Sequence, residues 1–198
     1  MNTALNRQNL IDSTVIVTGA SRGLGREMCI ALAMRGAAVV AAARSLDRAT
    51  RGAGTLLDTA AAIREKGGKV HCSVVDVRDA EAVAHLFDQA EAAFGRVDTL
   101  VNNAGLMVGE VAFEHTDPDL WRKVLDTNLL GAYHCCHQAV PRMLANGGGV
   151  IVNVTSGAAV RAGFLNQPYG VSKAGLDRLT LGLAAEFRDR NIACIGLS

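Results

Sequence analysis

The chain has 198 residues, a formal net charge of +1, and 49% hydrophobic against 20% charged residues. This length suits one globular domain with a substantial core, and the composition excludes a disordered chain. The near-neutral charge gives no reason to expect nucleic acid or an anionic membrane surface as a partner. Residues 1–13 lack the apolar centre of a signal peptide, and no apolar run could span a membrane, so we expect a cytoplasmic protein.

Six short, mostly apolar runs predict β-strands that are covered on both faces, because their hydrophobicity is continuous and does not alternate. These strands are predicted at 14–18, 37–43, 69–75, 98–102, 149–154 and 192–197. Helices are predicted between them at 24–35, 55–66, 79–94, 118–145 and 168–190. Repeated strand–helix–strand units build a parallel sheet with right-handed crossovers. The sequence therefore predicts one doubly wound α/β domain over residues 1–198.

Local signals support several of the helix starts. Thr55 and Asp58 have the spacing of a capping box, and Asp79 precedes an alanine-rich run. Pro118 follows Asp117 and is suited to the first turn of a helix. The polar, glycine-containing stretch at 44–54 is predicted to be a loop within one unit and not a domain boundary.

A glycine-rich turn, TGASRGLG at 18–25, follows the first predicted strand and opens the first helix. Its glycines, Gly19, Gly23 and Gly25, allow the backbone to approach a ligand closely, and the free N–H groups of the helix attract phosphate. The spacing differs from GxGxxG, and a plain connection is the alternative. The position of the turn in the first strand–helix unit favours a dinucleotide site.

Two arginines indicate which dinucleotide is bound. The second strand ends at Arg44, where an acidic residue would bind the ribose 2′-hydroxyl of NAD and an arginine accommodates the 2′-phosphate of NADP. Arg22, in the glycine turn, could contact the same phosphate from the other side. Either arginine taken singly could be an ordinary surface residue. Together they favour NADP, with NAD less expected.

Tyr169 is followed by Lys173 four residues later, within a predicted helix, so the two side chains share one helix face. A cation beside a phenol favours the phenolate, which makes a tyrosine usable as an acid and base near neutral pH. A solvated surface pair is the alternative for this motif in isolation.

Taken together, these motifs resemble the short-chain dehydrogenase/reductase family, and the resemblance covers residues 13–198. Ser156 precedes Tyr169 by thirteen positions (169 − 156), a usual family spacing. Each motif alone is weak or moderate, but five in this order are specific. The matching segments are TGASRGLG, NNAG at 102–105, LDTNLLGAY around Asn128, IVNVTSG around Ser156, and YGVSK at 169–173.

The resemblance implies a Rossmann fold and an NADP-dependent oxidoreductase that moves a hydride between nicotinamide C4 and a carbonyl or secondary alcohol. By this resemblance Tyr169 is the acid and base, and Lys173 favours its ionisation and binds the nicotinamide ribose. Ser156 would bind the substrate oxygen and stabilise developing charge. Asn128 would hold a water that links Lys173 to solvent. Thr155 and Ser172 are rival hydroxyls that fit the family register less well.

The resemblance also implies which residues hold the cofactor. Asp76 and Val77 are expected on the adenine side. Asn102 either lines the middle of the cofactor or ties neighbouring strands through its amide. The full predicted set is Gly19, Ser21, Arg22, Gly23, Leu24, Gly25, Arg44, Asp76, Val77, Asn103, Ala104, Gly105, Tyr169 and Lys173.

No metal site is expected. The five cysteines are an odd number without CxxC spacing, which indicates reduced thiols. The run HCCH at 134–137 would point its four side chains in different directions around a helix, so it does not suit zinc. Tyr133 has no lysine four residues later and is interpreted as a packing residue.

The substrate is less constrained than the cofactor. A stretch at 54–70 resembles the hydroxysteroid-dehydrogenase-like branch of the family, and the expected partner is a fairly apolar small-molecule carbonyl or alcohol. The helices 118–145 and 168–190 carry apolar residues on more than one face and match family helices that pair, which favours a homodimer or homotetramer. Residues that flank the motifs belong either to an apolar substrate pocket or to the core: Met107, Val108, Phe164, Leu165 and Gln167.

Two alternatives remain at the level of sequence. One is a non-catalytic NADP-binding or regulatory protein, against which the intact Ser156, Tyr169 and Lys173 argue. The other is the extended epimerase/dehydratase branch, which has a longer chain and a differently spaced glycine turn. The family pattern continues beyond the sixth strand with a lid and a last strand, so we expect a truncated form with an open sheet edge and reduced turnover.

Overall fold

A computed structural model describes residues 10–47, 54–161 and 165–198. Its strands are β1 (Thr14–Thr18), β2 (Ala38–Ala43), β3 (Lys69–Val74), β4 (Thr99–Asn102), β5 (Gly149–Val154) and β6 (Ile192–Leu197). Its helices are α1 (Gly23–Met34), α2 (Leu56–Glu65), α3 (Ala80–Phe94), α4 (Pro118–Leu125), α5 (Gly131–Ala145) and α6 (Gln167–Phe187). The six predicted strands are confirmed, with ends that move by no more than one residue.

All paired strands are parallel, and the order across the sheet is β3-β2-β1-β4-β5-β6. Val15 lies opposite both Val39 of β2 and Thr99 of β4. The strand order therefore reverses between β1 and β4, and a doubly wound sheet opens its binding crevice at the carboxyl ends of such strands. The predicted fold class is confirmed.

Alternate residues of the central strands enter two separate cores. Ile16, Leu100 and Ile151 face α3, α5 and the end of α6, where Phe87 and Met143 are fully buried. The opposite face of the sheet packs against α1 and α2 through a second cluster: Val15, Val17, Cys29, Val39, Ala41, Leu56 and Ile63. Burial on both faces explains why these strands appear as continuous apolar runs.

The predicted helix starts are confirmed by their hydrogen bonds. Asp58 N donates to Thr55 Oγ1 at 3.1 Å, and Thr55 N donates to Asp58 Oδ2 at 2.8 Å, which completes the capping box. Asp79 accepts from the backbone N–H groups of the first turn of α3. Pro118 occupies the first turn of α4.

Three elements differ from the prediction. The helix expected at 118–145 is divided by a π-helical turn, Asp126–Leu130, which inserts an extra residue between α4 and α5. Strand β6 is covered on one face only, because Ile195 and Leu197 are 52% and 48% exposed. The helix expected at 168–190 ends at Phe187 and continues as a short 3₁₀ turn.

All five cysteines are free thiols, as the sequence predicts, and Cys72 alone among them is partly exposed. Tyr133 is 46% exposed and its ring contacts His134 and His137, so it packs at the surface and not in the core. Within the described ranges, no helix is long and apolar enough to cross a membrane. Phe164 and the middle of the predicted loop at 44–54 lie outside the described residues.

Candidate active site

The glycine turn after β1 is held against the NNAG segment that follows β4. Asn103 Nδ2 donates to Thr18 O at 2.8 Å and to Gly19 O at 3.3 Å. Gly19 has φ +68°, and a Cβ there would lie 2.9 Å from Ala104 Cα. A Cβ on Gly25 would lie 2.3 Å from Gly19 O. Both positions require glycine, so the backbone forms a fixed and closely packed cradle.

Helix α1 opens this cradle with free N–H groups. Arg22 stands at its N-cap with extended backbone, and no described side chain hydrogen-bonds to the first turn of the helix. The first N–H groups of a helix have no partner within the helix and carry partial positive charge. This end of α1 can therefore bind an anion.

A cleft of about 370 Å³ lies over this cradle. Twelve of the predicted cofactor residues line it, whereas Tyr169 and Lys173 do not. These twelve are Gly19, Ser21, Arg22, Gly23, Leu24, Gly25, Arg44, Asp76, Val77, Asn103, Ala104 and Gly105. The remaining lining residues are Ala42, Ala43, Ser45, Gly54, Val75, Leu106, Lys123 and Thr127.

Sequence reasoning missed Lys123 and Thr127 in this lining. They come from α4 and the π-helical turn, about a hundred residues after the glycine turn, and only the tertiary fold brings them to the cleft. Ser45 was also missed, although its position next to Arg44 at the end of β2 is a usable signal.

The charges that line the cleft are mostly positive. Arg22, Arg44 and Lys123 form no salt bridge or side-chain hydrogen bond with any described residue. The one acidic group, Asp76, is bound by Arg78. This hydrogen bond from Arg78 holds the pKa of Asp76 below its usual range, so the carboxylate is ionised at neutral pH. The cleft thus carries an excess of free cations, which suits a ligand with several phosphate groups.

Asn102 does not line the cleft. Its buried Nδ2 donates to Asn153 Oδ1 at 2.9 Å, which ties β4 to β5. Of the two interpretations that the sequence left open, the structure supports the structural one.

Lys173 lies next to the cleft, close to its lining residue Gly105. Its side chain is buried, and Nζ donates to Val154 O at 2.7 Å and lies 5.7 Å from the Tyr169 ring centroid. A Cβ on Gly105 would lie 3.9 Å from the same Nζ. Burial lowers the pKa of Lys173 from the usual lysine value, and Asp177 opposes this shift.

Asn128 joins the segment after NNAG to α6. Its Nδ2 donates to Leu106 O at 2.9 Å and to Ser172 Oγ at 3.0 Å, and its Oδ1 accepts from Leu106 N at 2.6 Å. Ser172 Oγ in turn donates to Tyr169 O at 2.7 Å. Both N–H groups of the Asn128 side chain are therefore used to hold the site together.

Ser156 follows β5, and its Oγ accepts from Ala158 N at 3.2 Å. A Cβ on Gly170 would lie 3.2 Å from Ala158 O, so the turn after Ser156 packs directly on the first turn of α6, which carries Tyr169. The rival hydroxyl of Ser172 is fully buried and donates to a backbone carbonyl. Thr155 is also buried. Ser156 is thus the partly exposed hydroxyl next to Tyr169.

Two loop segments meet beside the first turn of α6. Asn166 Nδ2 donates to Val108 O at 3.3 Å, and Val111 N donates to Leu165 O at 2.6 Å. Met107 and Leu165 are exposed apolar side chains and do not belong to the core. Exposed apolar groups in these two segments suit contact with an apolar ligand.

Comparisons with known proteins agree with this geometry. The short chain dehydrogenase family model matches residues 13–198. A 3beta-hydroxysteroid dehydrogenase of Mediterraneibacter gnavus is 35% identical, over 92% of this chain and 63% of its own length. An L-rhamnose 1-dehydrogenase (NAD(P)(+)) of Azotobacter vinelandii is 39% identical, over 93% of this chain and 71% of its own. A structure of 7 alpha-hydroxysteroid dehydrogenase with NADH and 7-oxo glycochenodeoxycholic acid superposes with a TM-score of 0.88 at 30% identity, covering 96% of this chain and 71% of that one.

The chain spans about two thirds of the length of the curated relatives it matches. The match nevertheless includes the glycine turn, the NNAG segment and the Tyr169–Lys173 pair, and it extends over nearly the whole chain. The chain therefore belongs to the short-chain dehydrogenase family.

Proposed function

We propose that this protein is an oxidoreductase that transfers a hydride between a nicotinamide cofactor and a carbonyl or secondary alcohol. The observation that carries the proposal is the buried ammonium of Lys173, which lies beside the Tyr169 ring and close to Gly105, a residue of the cleft lining. Burying a cation costs free energy of folding. Titratable side chains whose pKa is shifted in this way concentrate at functional sites.

The residues of the cleft fit a dinucleotide. The cradle formed by Gly19 and Gly25 admits a close backbone approach, and the open end of α1 suits a pyrophosphate. A bound nicotinamide would supply or accept the hydride. The protein's part is to hold the substrate oxygen and to move a proton at that atom.

In reduction, Tyr169 Oη gives its proton to the substrate oxygen, and in alcohol oxidation it takes that proton back. Ser156 Oγ donates a hydrogen bond to the same oxygen and stabilises its developing negative charge. The ammonium of Lys173 stabilises the phenolate that remains on the tyrosine. Asn128 is expected to hold the water that reprotonates this site, and because both N–H groups of its side chain are bonded within the protein, that water would donate to one of its oxygens.

NADP is the preferred cofactor in this proposal. The side chains of Arg22 and Arg44 lie in the same cleft and form no salt bridge with a described residue, and Lys123 adds a third such cation. The 2′-phosphate of NADP carries charge that NAD lacks, so this excess of cations favours NADP. The related proteins include one described with NADH and one named for both cofactors, so the choice depends on residues of this chain.

The proposed substrate is a small, fairly apolar carbonyl or alcohol. Hydroxysteroid dehydrogenases among the relatives, and the exposed Met107 and Leu165 near Tyr169, support an apolar pocket. Residues 1–198 are proposed to form one NAD(P)-binding domain with its catalytic residues built in. The cytoplasmic location stays a prediction.

The test is oxidation of NADPH against a panel of ketones, aldehydes and quinones, with Tyr169→Phe and Tyr133→Phe as a matched pair. Tyr169→Phe is expected to lower turnover at least about 100-fold, because it removes the proton but keeps the ring. Its affinity for NADPH is expected to stay close to that of the parent. Tyr133→Phe changes the only other tyrosine, which lies away from the cleft, and is expected to keep full turnover.

The same experiment separates the enzyme from a non-catalytic NADP-binding protein. Tight NADPH binding without turnover of any panel member would support the binding protein. Residual activity of Tyr169→Phe within tenfold of the parent would contradict the role given to Tyr169.

A further inference from the structure

Arg78 binds both carboxylate oxygens of Asp76, the one acidic residue among the described residues that line the cleft. Its Nε donates to Oδ1 at 3.0 Å and to Oδ2 at 3.1 Å, and a terminal guanidinium nitrogen donates to Oδ2 at 2.5 Å. The backbone N–H of Arg78 donates to Oδ1 at 3.1 Å. Such a forked pair fixes both the distance and the plane of the carboxylate.

The charges around this pair come from two other parts of the fold. Arg44, at the end of β2, interacts electrostatically with Asp76, and Asp126, in the π-helical turn, interacts with Arg78. The pair is partly exposed, with side-chain exposures of 39% for Arg78 and 30% for Asp76. With Arg78 in place, the Asp76 charge is compensated. Without Arg78, a bare carboxylate would share the adenosine end of the cleft with Arg44.

We infer that Arg78 is a positioning residue that helps to set the preference for NADP over NAD, through two separable effects. Its fork fixes the plane of the Asp76 carboxylate, which the family resemblance puts on the side of the adenine that both cofactors carry. Its positive charge compensates Asp76, so that this carboxylate does not oppose the 2′-phosphate held near Arg44. The inference rests on the proposed function and adds a residue that does not itself line the cleft.

The two effects predict different losses. Loss of the fixed orientation of the Asp76 carboxylate is expected to weaken the binding of NADP⁺ and NAD⁺ by a similar factor, because both contain the same adenine. Loss of charge compensation is expected to weaken NADP⁺ binding selectively, since an uncompensated carboxylate in the same cleft repels the additional phosphate that NAD⁺ lacks. We expect Arg78→Gln to raise the Kd of NAD⁺ about threefold and to lower the NADP⁺/NAD⁺ affinity ratio by about fivefold more.

The experiment measures equilibrium Kd values of NADP⁺ and NAD⁺ by calorimetry for the parent, Arg78→Gln, Arg78→Lys and Arg96→Gln. Arg78→Lys keeps the charge but not the fork, so it is expected to retain the parental ratio while binding both nucleotides more weakly. Arg96 is the matched control, because it pairs with Asp98 at the amino end of β4, away from the cleft. Arg96→Gln is expected to leave both Kd values unchanged.

A second readout is the pH dependence of NAD⁺ binding. Because Arg78 holds the pKa of Asp76 down, the ionised carboxylate persists to lower pH in the parent than in Arg78→Gln. As the solution is acidified, NAD⁺ binding by Arg78→Gln is therefore expected to weaken at a higher pH than NAD⁺ binding by the parent. All variants keep Arg44 and Asp126, so the other charges near Asp76 and Arg78 stay the same.

An unchanged NADP⁺/NAD⁺ ratio in Arg78→Gln, or an equal change in Arg96→Gln, would overturn the inference. Parental affinity in Arg78→Lys would overturn the orienting effect. If Arg78→Gln does not fold by its thermal midpoint, Arg78→Met takes its place, because it also removes the charge, and the same NADP⁺/NAD⁺ ratio decides. A parent that binds neither nucleotide would overturn the proposed function together with this inference, whereas normal binding with an unaltered ratio would overturn the inference alone.

Discussion

Lys173 places a charge where its surroundings disfavour it. The side chain is 4% exposed, and burial lowers its pKa from the usual lysine value. In the folded state the charged form is therefore less stable than in the unfolded chain. The one hydrogen bond to Val154 O does not remove this cost, since a carbonyl carries only a partial charge. The residue thus reduces stability in exchange for a cation beside Tyr169.

We expect Lys173→Met to lower turnover and NADPH affinity together, each at least about tenfold, because it removes a charge and a ribose contact. The thermal midpoint is expected to equal or exceed that of the parent. The gain in the free energy of unfolding is full below the lowered pKa of Lys173 and disappears as the pH rises toward the unfolded lysine value. Steady-state kinetics and thermal melts at several pH values measure this. A large fall in the midpoint would show that Lys173 is mainly structural.

A single substitution at Arg44 tests the preference for NADP over NAD. We expect Arg44→Asp to change the preference from NADPH to NADH, because a carboxylate accepts from a ribose 2′-hydroxyl and repels a 2′-phosphate. The ratio of the two kcat/KM values is expected to move at least about 100-fold, a combined effect of lost attraction and added repulsion. Arg64→Asp, on the exposed side of α2, is the control. A parent that already prefers NADH under matched conditions would show this interpretation of Arg44 to be wrong.

At the scale of elements, helices α5 and α6 leave apolar side chains uncovered. Tyr133 of α5 is 46% exposed, and Val171 and Leu181 of α6 are 47% and 67% exposed. Large apolar side chains on the outer faces of two long helices are typical of surfaces that pair with another copy. The sequence prediction of a homo-oligomer therefore has a specific surface to test.

We expect the protein to be a dimer or tetramer by light scattering at micromolar concentration. Leu181→Glu is expected to shift the mass toward the monomer, because it places a charge within the proposed contact. Met34→Glu, at another exposed apolar position, on α1, is the control and should keep the parental mass. A monomeric parent, or equal shifts in both variants, would contradict the assignment of this surface.

The whole molecule holds four buried thiols whose ionisation is coupled to folding. Burial raises the pKa of Cys29 and Cys136 to about 12 and that of Cys194 to about 11, and it also raises the pKa of Cys135. In the unfolded chain these thiols ionise near the model-compound value of 9.0. Above that pH the folded state keeps more protons than the unfolded state, so stability falls as the pH rises.

We expect the free energy of unfolding to decrease steeply from pH 9 to pH 11, by about 1.4 kcal/mol for each buried thiol at pH 10. The lowered pKa of Lys173 makes the free energy of unfolding rise with pH, but this is one group against four buried thiols. Denaturant titrations at several pH values measure the slope. Cys29→Ala is expected to be less stable at pH 7, because of the cavity, and to show a shallower alkaline slope. An unchanged slope would contradict protonated thiols as its cause.

Much of the fold and part of the site could be predicted because their causes are local. The strand runs, the Thr55–Asp58 capping box and the glycine turn depend on residues within a few positions of one another. A parallel sheet also requires apolar residues on both strand faces, which leaves a continuous pattern in the sequence. The succession of these patterns along the chain was enough to predict β1, β4 and the motifs that follow them.

The rest depended on contacts between distant parts of the chain. Lys123 and Thr127 reach the cleft only because α4 packs over the carboxyl end of the sheet. The division of the predicted long helix follows from Asn128, whose side chain binds Leu106 and Ser172 on two other segments. No periodic pattern records such hydrogen bonds, because their partners are set by the strand order. The sequence by itself determined the elements and the motifs, whereas the tertiary structure decided which charges share one cleft and which asparagine holds strands together.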